Sequence, residues 1–160
     1  MVIRVSNSLT AKVEELRPFD GKKVRMYVCG ITVQGYAHIG HARTYIAFDV
    51  IKRYLKSRGY DVFHVQNVTD IDDKIIARAN ERGVDPLKMA AELTAQSEKD
   101  LDALGIERAN LYPRVTKHIP DIISLIERLI KKGYAYQIDG DVYFAVDKFP
   151  DYGHLSHQSP

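Results

Sequence analysis

Two histidines stand three residues apart in the stretch AHIGHAR, residues 37–43, with Gly40 between them and an amphipathic run behind. At a helix start, imidazoles at i and i+3 reach one small volume, into which free helical N–H groups and the positive end of the helix dipole also point. Such an end attracts anions. Gly40 has no Cβ, so a phosphate could come close to the backbone there. His38 and His41 could then hold an α-phosphate as it becomes five-coordinate, which is preorganised electrostatic stabilisation. Capping the helix or packing on each other is the commoner employment of such a pair. A zinc site built on it finds no third ligand nearby in sequence. The P-loop is excluded, because no Gly-x-x-x-x-Gly-Lys-Ser/Thr occurs.

Other polar residues gather at two places. Cys29, Gly30 and Thr32 follow one β-rich run, and Asn67, Thr69 and Asp70 follow another. Ligands of open parallel sheets sit beyond the carboxyl ends of the strands, so this clustering marks a site. A lone cysteine at a strand end usually packs as a small buried hydrophobe. TDIDD (69–73) resembles a carboxylate pair for Mg²⁺. Asp72 and Asp73 are better read as a helix cap that offsets the dipole, with Asp70 open.

These residues need a frame. KVRMYVC (23–29), rich in β-branched and aromatic residues and ended by Gly30, reads as a strand. A helix is expected from about Gly40 to Arg58, stopped by Gly59, with Ala47, Val50, Ile51, Tyr54 and Leu55 as its apolar face. Lys52, Arg53 and Lys56 fall away from that face. YDVFHVQNV (60–68) reads as a second, mostly buried strand. Strand, helix and strand make a βαβ unit, expected to cross over right-handed into a parallel sheet.

Helical material follows. KIIARANERG (74–83) ends on glycine, and Asp85 caps a helix with Pro86 at its first position, running to about Leu104 before Gly105. HIPDIISLIERLIKKG (118–133) carries a stripe of Ile119, Ile122, Ile123, Ile126, Leu129 and Ile130, read as core. YAYQIDGDVYFAV (134–146) is a hairpin about Asp139-Gly140. DKFPDYGHLSHQSP then trails away in turn residues, as though the architecture were interrupted.

The bulk composition sets limits. At 160 residues, 45 % apolar and 28 % charged, the chain suits one packed domain or a domain and a fraction, not disorder. No apolar run approaches the roughly 20 residues of a membrane span, and MVIRVSNSLT lacks a secretion signal's apolar core. A single cysteine cannot form an internal disulfide, so a cytoplasmic setting is expected. A net charge of +2 does not announce nucleic acid. KRYLKSR (52–58) and KK (131–132) read as solvated helix faces.

Together, MYVCGITVQGYAHIGHARTYIAFDVIKRYL and the later VQNVTDIDDKIIARA resemble the front of a cysteine–tRNA ligase, a class I aminoacyl-tRNA synthetase. HIGH (38–41) is that class's signature, and CGIT and NVTDIDDKI narrow it to the cysteine enzymes and their close relatives. The likeness continues through DALGIERANLYPRVTKHI and GDVYF. It implies an α/β, Rossmann-like parallel sheet of which this chain holds the first half, residues 1–117. Residues 118–160 would begin an α+β connective insertion.

The resemblance further implies that L-cysteine and ATP form cysteinyl-adenylate, which is passed to tRNA(Cys), with Mg²⁺ accompanying ATP. His38 and His41 would be catalytic on the phosphates, with Gly30, Ile31, Thr32, Gly40 and Thr44 beside the nucleotide. Cys29, Gly30, Thr32, Asn67 and Thr69 would contact the cysteinyl part. Cys29 would be one ligand of a zinc ion whose other ligands lie outside the chain. A soft metal prefers sulfur to the hydroxyl of near-isosteric serine, a distinction that an apolar pocket makes poorly.

The chain departs from the family at Gln34-Gly35, where many members carry Tyr-Asp. The KMSKS-type loop, the second half of the fold, the remaining zinc ligands and the anticodon-reading domain are also missing, and His154 and His157 match no family position. An amino-terminal part of a ligase, partnered by its missing carboxyl-terminal portion, is the expectation. A cysteine ligase of mycothiol biosynthesis and a non-catalytic truncated nucleotide-binding paralogue are the alternatives.

Overall fold

The computed structural model describes residues 2–159 of the chain. It opens with an antiparallel hairpin of β1 (Arg4–Asn7) and β2 (Lys12–Glu15). The turn between them has no glycine; Ala11 takes the left-handed conformation instead, at φ 54°. The expected βαβ unit follows as β3 (Lys23–Val28), α1 (Ile39–Ser57) and β4 (Asp61–Gln66). Strands β3 and β4 are parallel and in register from Lys23 opposite Asp61 to Val28 opposite Gln66. A third parallel segment flanks β4 through bridges of Val65 with Leu111 and of Val68 with Arg114.

The helices begin and end where side chains dictate. In α2 (Asp73–Arg82) the Asp72 carboxylate accepts from the Lys74 N–H at 2.9 Å, and Gly83 stops the helix at φ 65°. In α3 (Pro86–Ala103) the Asp85 carboxylate accepts from the Lys88 N–H at 2.7 Å. Beyond lie α4 (Ile119–Lys131) and the hairpin β5 (Ala135–Ile138) and β6 (Asp141–Phe144). Asp139 and Gly140 both take positive φ, 51° and 95°, as a two-residue primed turn requires. Among the described residues no helix is long and apolar enough to cross a membrane.

Contacts divide the chain into two units, Pro18–His118 and a second made of the chain's two ends. The first holds both buried clusters. Ile31, Val33, Val68, Ile75, Ala79, Met89, Ala90 and Leu93 form one; Val28, Tyr45 and Leu101, backed by Met26, Phe48 and Ile106, form the other.

Four expectations are overturned. Of the face proposed for α1, only Leu55 is buried; Val50, Ile51 and Tyr54 are exposed, and the sheet is met by Tyr45, Phe48, Lys52 and Leu55 instead. Lys52, expected in solvent, is only 3 % exposed. Its ammonium donates to the Arg108 carbonyl at 2.6 Å and lies 3.5 Å from Glu107, so a buried cation is held by a carbonyl and a carboxylate. Arg53 and Lys56 also pair, with Asp49 at 2.8 Å and Glu107 at 2.6 Å, rather than being merely solvated. The stripe of α4 is not core: none of its residues is buried, because its unit supplies no layer over it. Cys29, finally, is exposed rather than packed.

Candidate functional site

His38 is the N-cap of α1. Its Nδ1 accepts from the Gly40 N–H at 3.1 Å, while the His41 Nδ1 accepts from the His38 N–H at 3.2 Å. The two bonds make a capping box built from imidazoles. The rings stack with centroids 3.9 Å apart and planes inclined by 30°. Gly40 is needed for this, since a Cβ there would lie 2.9 Å from the His38 Cε1.

A backbone N–H can only donate, so both Nδ1 atoms are unprotonated and each ring carries its hydrogen on Nε2. Burial, and then the neighbouring His38, hold the His41 pKa below its ordinary 6.5. His41 is therefore neutral at pH 7, and capping occupies one nitrogen of each ring while leaving an Nε2–H donor on the other. The helix backbone itself offers less than expected. Gly40 N–H is taken by His38, and the N–H groups of His41 and Ala42 bond the His38 carbonyl at 2.9 and 3.1 Å.

Both histidines line a cavity of about 460 Å³ together with Gly30, Ile31, Thr32, the 34–36 loop and Arg78. Behind it, Asn67 Oδ1 accepts from the Gly30 N–H at 2.7 Å and from the Tyr27 hydroxyl at 2.9 Å, and Asn67 Nδ2 donates to Thr69 Oγ1 at 3.2 Å. Thr69 also bridges Thr32, with its N–H on the Ile31 carbonyl at 3.1 Å and its carbonyl accepting from Val33 at 3.2 Å. Asn67 and Thr69 thus hold the Gly30–Thr32 wall from behind rather than lining the cavity. Thr44 Oγ1 bonds back to the Gly40 carbonyl at 3.1 Å and is likewise outside the lining.

Both carboxylate oxygens of buried Asp70 are committed to Thr116, at 2.9 Å from its N–H and 2.6 Å from its hydroxyl. With Asp72 capping α2, TDIDD presents no free carboxylate pair from Asp70 and Asp72. Cys29 is a single donor. Among the described residues no three His, Cys, Asp or Glu side chains stand together as metal ligands. Gln34, Gly35, Tyr36 and Arg78 are lining residues that sequence reasoning did not assign to the site. Only the loop's adjacency to HIGH pointed to the first three, and nothing in sequence pointed to Arg78.

The family description "tRNA synthetases class I (C) catalytic domain" matches residues 15–160. The chain belongs to that family. This synthetase chain is 58 % identical, over 98 % of its length, to the cysteine–tRNA ligase of Thermococcus onnurineus (strain NA1). It is 51 % identical, over 99 %, to that of Anaeromyxobacter sp. (strain K). In each case it covers 33 % of the relative, so the synthetase chain spans about a third of the length of the curated relatives it matches. Among solved structures it is similar to the Mycobacterium tuberculosis methionyl-tRNA synthetase in complex with methionyl-adenylate. That likeness has a TM-score of 0.66 at 25 % identity, covering 72 % of this chain and 23 % of that one. A second structure of the same organism's enzyme, bound by methionyl-adenylate, gives 0.64 at 20 % identity, over 77 % and 29 %. The class I, Rossmann-like assignment of the parallel βαβ unit stands.

Proposed function

We propose that this chain provides the first half of the ATP site of a cysteine–tRNA ligase, which joins L-cysteine to ATP and passes it to tRNA(Cys) in the cytoplasm. Residues 1–117 would belong to the nucleotide fold and 118–160 to the start of a connective insertion; the compact grouping of Pro18–His118 supports most of that division. The observation that carries the reading is the pair of free Nε2–H donors on the wall of the Gly30–Thr32 cavity.

In the reaction, a cysteine carboxylate oxygen bonds to the α-phosphorus. The bond from that phosphorus to the oxygen bridging to the β-phosphate breaks, and its electron pair leaves with pyrophosphate. Two neutral N–H donors at the α-phosphate stabilise the charge on its oxygens as the phosphorus becomes five-coordinate. They need no change of protonation to do so. ATP enters with Mg²⁺, whose ligands would come from the triphosphate and from water. Cys29 would be one ligand of a zinc ion, whose other ligands would come from a longer protein.

The test is cysteine-dependent exchange of pyrophosphate into ATP by the protein as expressed from its own gene. In His41→Asn the amide oxygen keeps the acceptor that serves the cap, while the Nε2–H donor is lost. Exchange is expected to fall at least about 100-fold, as for loss of an oxyanion donor, with unchanged circular dichroism. Undiminished exchange would remove the assignment.

A further inference from the structure

Among the described residues Arg78 is the one arginine on the Gly30–Thr32 cavity. It lines the same cavity as His38 and His41, and it makes no hydrogen bond or ion pair among the described residues. Arg53 and Arg108, by contrast, are tied to Asp49 and Asp102 at 2.8 and 2.6 Å. Its helix is firmly placed. Asp72 caps α2, and Ile75 and Ala79, on either side of Arg78 in sequence, are 1 % and 0 % exposed in the same buried cluster as Ile31 of the cavity wall. The backbone under the guanidinium and the wall opposite therefore share one core.

From this geometry we infer that Arg78 binds the β- and γ-phosphates of the nucleotide and receives the departing pyrophosphate, an assignment that rests on the ATP reading above. The charge balance of the cavity leads there. The N–H groups of Gly40, His41 and Ala42 are occupied, so the start of α1 leaves an anion to be held mainly by side chains. The two imidazoles bring neutral donors, one ring nitrogen each. A triphosphate carries several negative charges, and cleavage at the α-phosphorus moves an electron pair onto the leaving group. Among the lining residues Arg78 is the one permanent cation. Its planar fork can give two parallel N–H bonds to phosphate oxygens. Neutral donors at the α-phosphate and a fixed cation toward the leaving group divide the work as the reaction distributes charge.

The test is pyrophosphate exchange by the gene's full product, with Arg78→Ala and Arg78→Lys. In Arg78→Ala the KM for pyrophosphate is expected to rise about tenfold or more, the size of a lost charged hydrogen bond. The KM for ATP should rise with it, while inhibition by AMP and the KM for cysteine change less than about twofold. Arg78→Lys keeps the charge without the fork and should recover part of the loss. Should Arg78→Ala fold poorly, the lysine variant carries the test through the same ratio of pyrophosphate to AMP effects. An unchanged pyrophosphate KM, or an equal weakening of AMP, overturns the assignment. A wild-type protein without exchange overturns the ATP reading, and this inference with it; a competent wild type with indifferent Arg78 variants overturns this inference alone.

Discussion

Gly30 shows how little room the site leaves at one residue. A Cβ added there would lie 1.5 Å from the Asn67 carbonyl oxygen, a backbone atom that cannot swing aside. Gly35, on the same cavity, has nothing within 4 Å. Alanine at the two positions should therefore part company. Gly30→Ala is expected to cost about 3 kcal/mol or more through overpacking, and Gly35→Ala to stay within about 0.5 kcal/mol. Urea denaturation of both variants checks this, and equal midpoints would refute it. The sequence made Gly30 a site residue through its place after a strand. Its reason for being glycine, the crossing of Asn67, is a contact between two distant strand ends that no local pattern announces.

At the scale of elements, the helix α1 rests on β4 through an awkward pair. His64 is 5 % exposed with neither ring nitrogen hydrogen-bonded. Burial foremost, and then the charge of Lys52, hold its pKa below 6.5, with Asp49 opposing. Between that lowered value and 6.5 the unfolded chain binds more protons than the folded one, so stability rises with pH across the window. The contribution is complete above about 6.5 and is lost as pH falls through the folded value. His64→Phe removes two unsatisfied polar atoms. It is expected to stabilise by about 1 kcal/mol and to flatten the pH dependence of the melting temperature below 6.5; a slope equal to that of the wild type would count against this account. The ends of α1, α2 and α3 were legible in the sequence because Asp72, Asp85-Pro86, Gly59, Gly83 and Gly105 act locally. The buried side of α1 was not. Its apolar residues occur on more than one side, and the lysine that turns inward does so because Arg108 and Glu107, from beyond α3, wait for it.

In the whole molecule, stability is unevenly spread. Among the described residues, thirteen of the fourteen buried hydrophobic residues lie in Pro18–His118, and Ala135 is the remaining one. The unit of the chain ends has two hairpins and the largely exposed stripe of α4, with almost no apolar interior. Local opening should follow that division. Amide hydrogens of β5 and β6 are expected to exchange at least about 100-fold faster than those of β3 and β4, read by hydrogen–deuterium exchange with mass spectrometry. Equal protection would mean that the hairpin unit is as deeply anchored as the sheet. The βαβ unit and its family were readable from the sequence, since strand composition, caps and the HIGH stretch lie close together. Which apolar faces are covered was not, because that depends on the layers the molecule provides and not on the spacing within any one helix. Arg78 was missed for a related reason: on its own helix it looks like any solvated arginine, and only the fold brings it to His38.

The exposure of Cys29 gives this molecule a built-in handle. Its thiol is the sequence's sole one, and it sits at the end of β3 beside Gly30 on the cavity wall. A maleimide dye would attach at that one position without engineering, next in the chain to Gly30 of the cavity wall.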